Sequence, residues 1–204
     1  MRKPEQELAE IKSMMERSTR FLSLSGLAGV LAGIFAMLAA AFAYYWIYFP
    51  GVPYGLHSAA IEDLNALYNL LILAFLTLIM SVGTTLILSQ RKSKRKAQTL
   101  WTPASRRFVE ALFLPVLVGG IFCLAIMIKG HVLYIAPVTL IFYGLGLINA
   151  AHFTLGDIKY LGFCQLGLGI IAAFFPEFGL LIWTLGFGVM HIVYGTLMHL
   201  KYDR

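Results

Sequence analysis

Apolar residues run along this chain in six long blocks, near 21–48, 64–89, 108–128, 132–153, 158–175 and 178–200. A membrane-crossing helix needs about 20 predominantly apolar residues, and each block is close to that length. Ahead of them, residues 5–20 set Leu8, Ile11, Met14 and Met15 among Glu7, Glu10, Lys12, Glu16 and Arg17. That spacing predicts an amphipathic helix over 1–20, either lying on a membrane surface or docking a partner. The pattern therefore predicts an all-α polytopic membrane protein. Its two parts are the surface helix, 1–20, and a six-helix transmembrane domain, 21–204.

Composition narrows the class further. Of 204 residues, 59% are hydrophobic and 13% charged. Soluble domains are about half apolar and about one quarter charged, and disordered chains are poorer still in apolar residues. Six spans leave no length for a separate soluble domain. The net charge of +6 raises nucleic acid as a partner, but no fold surrounds the basic residues to give specificity, so none is expected. Fifteen of the sixteen Lys and Arg residues fall on one side of the expected topology. They are Arg2, Lys3, Lys12, Arg17 and Arg20, seven residues between Arg91 and Arg107, then Lys159, Lys201 and Arg204. Lys129 alone falls on the other. Positive loops stay in the cytoplasm, so both termini are expected there. The opening residues are charged and the first apolar run is too long for a signal core, so no cleavable signal peptide is expected.

Polar groups within the spans are few, and each is costly in lipid. His191, His152, Asn149, Tyr194 and Gln165 share the inner half of spans four to six. They form the candidate ligand-binding set, with Tyr143 adding a further hydroxyl. The alternative for such residues is hydrogen bonding between helices. Asp157, three residues after Thr154, reads as part of a helix cap. Cys123 and Cys164 read as small core residues rather than a disulfide or metal pair. The histidines are scattered and form no close pair, so which metal or cofactor the chain holds, if any, stays open.

Small residues mark packing. Gly26, Gly29 and Gly33 form one stripe on span one, and Ala28, Ala32, Ala36 and Ala40 another. One stripe suits internal packing and the other contact with a second copy. Pro115 and Pro137 fall inside spans three and four as kinks. Tyr44-Tyr45-Trp46-Ile47-Tyr48 reads as an interfacial aromatic belt. Three spans begin with a basic-aromatic pair, at Arg20-Phe21, Arg107-Phe108 and Lys159-Tyr160. Each has a phenylalanine fifteen residues after the basic residue, at Phe35, Phe122 and Phe174. Gly144-Leu145-Gly146-Leu147-Ile148-Asn149 matches Gly186-Phe187-Gly188-Val189-Met190-His191 in spacing. Together these suggest three helical-hairpin repeats.

The stretches from Ser13 to Leu27 and from Gly186 to Gly195 resemble a family of small bacterial six-span membrane proteins with no established activity. The resemblance covers most of the chain and implies the bacterial inner membrane. Some members carry a carotenoid-cleaving oxygenase label. An iron oxygenase needs several histidines around one metal, and only His152, His191 and His199 share a side here. Three functions follow as expectations. The first is binding or transport of a small apolar or weakly polar molecule through the inner half of spans four to six. The second is an accessory subunit acting on protein partners, and the third a histidine-metal membrane oxygenase.

Overall fold

A computed structural model describes residues 21, 24–45, 64–95 and 99–202. All regular structure among them is helical: α1 (Gly26–Ala43), α2 (Leu64–Arg95), α3 (Pro103–Ile128), α4 (Ile135–Ala150), α5 (Ile158–Phe174) and a final composite span. That span joins α6 (Gly179–Trp183), a π-helical stretch Thr184–Met190 and α7 (His191–Tyr202). Among the described residues, five helices are long and apolar enough to cross a membrane. The sixth, α5, has 17 residues and reaches about 25 Å at 1.5 Å per residue. The expected helix over 1–20, the belt residues Trp46 to Tyr48 and the loop that follows lie outside the described residues.

Local chemistry fixes the ends of α3. Pro103 starts it, where a missing N–H costs nothing. Thr102 and Ser105 cap one another: the Ser105 N–H donates to Thr102 Oγ1 at 3.1 Å and the Thr102 N–H to Ser105 Oγ at 2.8 Å. At the other end the Gly130 N–H donates to Met127 O and the His131 N–H to Ile126 O, both 2.9 Å. This closure needs a left-handed residue, and Gly130 supplies it at φ 78°.

The helices pack in a row. α3 lies on α4, α4 on α5, and the composite span joins α5 to α1. α2 packs most extensively on α1, and nothing in its best 18-residue window is buried. Glycines set the two tightest seams. A Cβ on Gly144 would sit 2.8 Å from Gly162 O, and one on Gly162 would sit 2.9 Å from Gly144 O, so α4 and α5 meet backbone to backbone. Gly26, Gly29 and Gly33 likewise face Gly195 and Gly188 of the last span. The glycine stripe of span one is thus used inside the chain. Ala28, Ala36 and Ala40 of the second stripe are also buried within it.

One end of the bundle gathers the basic residues. There the Phe21 N–H donates to Phe153 O at 2.7 Å, Thr154 Oγ1 to Phe21 O at 2.6 Å and Lys92 Nζ to Leu24 O at 2.7 Å. Phe21 also packs on Phe108, ring centroids 5.6 Å apart. These contacts bring the starts of α1 and α3 to the ends of α2 and α4, and the Lys201–Asp157 pair brings the end of α7 to the start of α5. Arg91 to Arg95, Arg106, Arg107, Lys159 and Lys201 all lie at this end, and Lys129 at the opposite one.

Four expectations change on contact with the fold. Thr154 and Asp157 do not cap α5 with their side chains. The Thr154 hydroxyl goes to Phe21, and Asp157 instead accepts Lys201 Nζ at 2.6 Å and Tyr202 Oη at 2.8 Å. Pro137 is the third residue of α4, where the first-turn N–H has no intrahelical partner, so it kinks nothing; Pro115 does lie within α3. Cys164 is exposed and Cys123 only half-buried. Lipid is as apolar as a core, so an apolar neighbourhood in the sequence did not decide the side. Finally, Gly144-Leu145-Gly146 is α-helical and Gly186-Phe187-Gly188 is π-helical. Their equal spacing therefore carries different backbones.

The Asp157–Lys201 pair yields a pH prediction. The Lys201 hydrogen bond, then that of Tyr202, holds the Asp157 carboxyl below its usual range. A depressed folded pKa contributes stability above the unfolded value of about 3.9 and loses it as pH falls through the folded value. Asp157→Asn should therefore lower Tm at neutral pH. The gap to the parent should close in acid, below the usual carboxylate range. A gap that persists there would show that the carboxylate charge is not its cause. Lys201 is exposed and Asp157 is partly so, so the effect is modest.

Candidate functional site

The last span is the least regular element, and the buried polar groups meet where it departs from α geometry. Thr184–Met190 contains Gly186 and Gly188, and glycine costs a helix about 1 kcal/mol relative to alanine. Side chains also press on its carbonyls, a recognised cause of local unwinding. The Gly186 carbonyl accepts Gln165 Nε2 from α5 at 2.8 Å and lies 3.1 Å from His191 Nδ1. A Cβ on Gly186 would lie 2.6 Å from Gln165 Oε1 and 2.6 Å from Leu140 Cδ2. Only glycine leaves room for the glutamine.

The hydrogen-bond geometry selects one tautomer of His191. Its Nδ1 lies against a carbonyl, which only accepts, so Nδ1 carries the proton and donates to Gly186 O. Nε2 is then the acceptor for the Tyr143 hydroxyl at 2.9 Å. The opposite tautomer would set two lone pairs against each other at Nδ1 and leave the Tyr143 proton without this acceptor. Gln165 Nε2 is 3.3 Å from Nδ1, and in the chosen tautomer its proton goes to Gly186 O. Inverting the amide of Gln165 would place its oxygen against that same carbonyl, so the orientation is also determined. In this tautomer both ring nitrogens are engaged.

Aromatic rings enclose this knot. Trp183 lies on Phe187 (4.9 Å between centroids), Phe187 on Tyr143 (5.0 Å) and on His191 (5.7 Å). Trp183, Phe187 and His191 are spaced four apart and so share a face of the last span. Gln165 is wholly buried, at 0% exposure. Its Oε1 nevertheless has no hydrogen-bond partner. An unpaired buried acceptor costs about 1–3 kcal/mol, so this atom is the one unsatisfied group of the knot.

Of the five residues expected at the site, the structure brings together Gln165 and His191. Asn149 instead donates from Nδ2 to Ala111 O at 3.0 Å, tying α4 to α3. His152 is exposed on the short turn after α4. Tyr194 stands one turn beyond His191 among Leu147, Leu161 and Met198, its hydroxyl buried and unpaired. Phe187, Trp183 and Gly186 were not singled out for chemistry in the sequence, although the Gly-x-Gly spacing marked their segment. Among the described residues, no three His, Cys, Asp or Glu side chains gather as a metal site. Compared with protein-family models, with curated proteins and with solved structures, the chain matches none.

Proposed function

We propose that this chain crosses a bacterial inner membrane six times, with both termini in the cytoplasm. On this reading it binds a small, weakly polar molecule beside Gln165 and His191. The observation that carries the reading is the unpaired, wholly buried Gln165 Oε1 next to a π-helical turn. π-helical turns inside α-helices occur often at functional sites, and polar groups at membrane depth are functional hypotheses by default. Gln165 Oε1 only accepts, so the ligand must bring an O–H or N–H donor. The aromatic rings around the knot favour an aromatic or otherwise apolar body. A phenol meets both demands. The fifteen-to-one distribution of basic residues supports the orientation, and the reach of α5 supports the sixth crossing.

A matched ligand pair tests this. Thermal unfolding of the purified protein in detergent should shift upward with alkyl phenols. The corresponding methyl ethers, which lack the donor, should have little effect. Gln165→Leu should remove the phenol response. Equal responses to phenol and ether, or a response that survives Gln165→Leu, would sink the reading.

A further inference from the structure

The last span parts from α5 beyond the Gln165 knot. α5 packs closely on α4 and meets both α6 and the π-helical stretch, yet it scarcely touches α7. The two helices therefore diverge from the knot toward the basic end. Side chains fill the wedge between them. Leu161 from α5, Met198 from α7 and Leu147 from α4 are buried there in one cluster, and Tyr143, Tyr194 and Tyr202 pack against it. Tyr143 belongs to the knot and Tyr202 to the Asp157 contact, so one continuous cluster joins the two. The helical period agrees. Leu161 and Gln165 are four apart on α5, and His191, Tyr194 and Met198 are three and four apart on α7. Eight residues separate Asp157 from Gln165, about 12 Å along a helix.

Two features set this wedge apart from an ordinary core. The Tyr194 hydroxyl is buried in it without a hydrogen-bond partner, and Asp157 and Tyr202 lie within electrostatic reach of it. A phenylalanine would fill the same space without stranding a polar group. The mouth at the basic end carries a polar clasp, in which Asp157 Oδ2 accepts Lys201 Nζ at 2.6 Å and Tyr202 Oη at 2.8 Å. The Lys201 side chain is 59% exposed, and exposed ion pairs add little to stability, so the clasp opens at small cost. Behind it stands Met198, an unbranched and adaptable side chain. The flanking seams are shut by comparison. α4 meets α5, and α1 meets α7, backbone to backbone at glycines.

We propose that the α5–α7 wedge is the route by which the ligand of the Gln165–His191 knot enters and leaves. The Asp157–Lys201–Tyr202 clasp is its gate, and the Tyr194 hydroxyl is the first polar contact inside. What travels, on the ligand reading above on which this rests, is an apolar body with one O–H or N–H donor. Leu147, Leu161 and Met198 suit the body. A tyrosine hydroxyl both accepts and donates, so Tyr194 takes the ligand's donor after the clasp parts and before Gln165 Oε1 receives it. A gate of this kind changes how fast a ligand exchanges, not how tightly it is finally held.

The test uses the full chain in detergent, in a Cys123→Ser, Cys164→Ser background, and has one readout that needs no ligand. Met198→Cys puts a thiol inside the wedge, and Val138→Cys puts one in α4 near the opposite end of the bundle. Asp157→Asn should speed labelling of the Met198→Cys thiol by a water-soluble maleimide about fivefold, the most that an exposed ion pair supplies. It should leave the Val138→Cys thiol unchanged. Should Met198→Cys fail to fold, Leu161→Cys across the wedge takes its place. The second readout is exchange of an alkyl phenol. Asp157→Asn should raise its association and dissociation rates together, also about fivefold, with Kd unchanged. Tyr194→Phe should slow both about threefold, again with Kd unchanged. Wedge labelling that Asp157→Asn leaves unchanged, or that rises equally at Val138→Cys, overturns the proposal whatever the phenols do. Phenol rates that stay at parent values, or a change in one rate alone, overturn it as well. Absence of any phenol binding sinks the ligand reading instead, and the labelling then decides the gate by itself.

Discussion

A single methyl group added at Gly195 is expected to lower the stability of this protein by about 3 kcal/mol or more, the upper range for an overpacked site. The Cβ would stand 2.5 Å from Val30 N, 2.7 Å from Gly26 O and 2.8 Å from the Gly29 carbonyl carbon. All three are backbone atoms of α1 and its start, so no side chain can turn aside to relieve the contact. α1 and α7 would have to separate. Without a hydrophobic drive between helices in lipid, close packing of this kind is a main source of association. The control is built into the same chain. A Cβ on Gly120 or Gly167 meets nothing within 4 Å, and both glycines lie inside helices. Gly120→Ala and Gly167→Ala should be neutral or stabilising by up to about 1 kcal/mol from helix propensity. Thermal unfolding in detergent orders the three variants. A Gly195→Ala protein as stable as Gly120→Ala would show that α1 and α7 do not meet as described.

The second large effect is expected at His191. Changing it to leucine removes the acceptor of the Tyr143 hydroxyl and the donor to the Gly186 carbonyl. Hydrogen bonds between membrane helices average only about 0.6 kcal/mol. The larger part of the loss therefore comes from stranding the Tyr143 proton, about 1–3 kcal/mol for an unsatisfied buried group. That difference gives the prediction its sign. Tyr143→Phe in the His191→Leu background should recover about 1 kcal/mol or more, because no hydroxyl is then left unpaired. The same substitution in the parent should destabilise. A double-mutant cycle by thermal or denaturant unfolding measures this coupling. Additive effects would mean that Tyr143 and His191 do not act as one unit.

The glycine and histidine effects differ in how far the sequence foretold them. Gly26, Gly29 and Gly33 stood out as a stripe because their spacing repeats the helical period. That Gly195 and Gly188 answer them from the last span depends on which helices become neighbours, and periodicity carries no such information. His191 and Gln165 could be picked out because polar side chains are rare at membrane depth. Asn149, His152 and Tyr194 met the same criterion and went elsewhere. Depth along a span is readable from residue number, whereas the direction a side chain faces depends on helix rotation. Cys164 makes the point from the apolar side: it lies in a greasy stretch and is nonetheless exposed.

The sequence by itself determined the helical class, the positions of the apolar blocks and the concentration of basic residues at one end. Those properties follow from composition and period, which act locally. Only the tertiary structure decided that Gln165 and His191 converge on the Gly186 carbonyl, that Tyr143 completes the knot, and that the last span takes a π-helical path there. The reason is that these outcomes depend on contacts between segments distant in the chain. Lipid solvates an apolar face as readily as a protein core does, so hydrophobicity alone does not choose among rotations of a membrane helix. Glycine seams and a few hydrogen bonds make that choice, and their partners exist only after the helices have assembled.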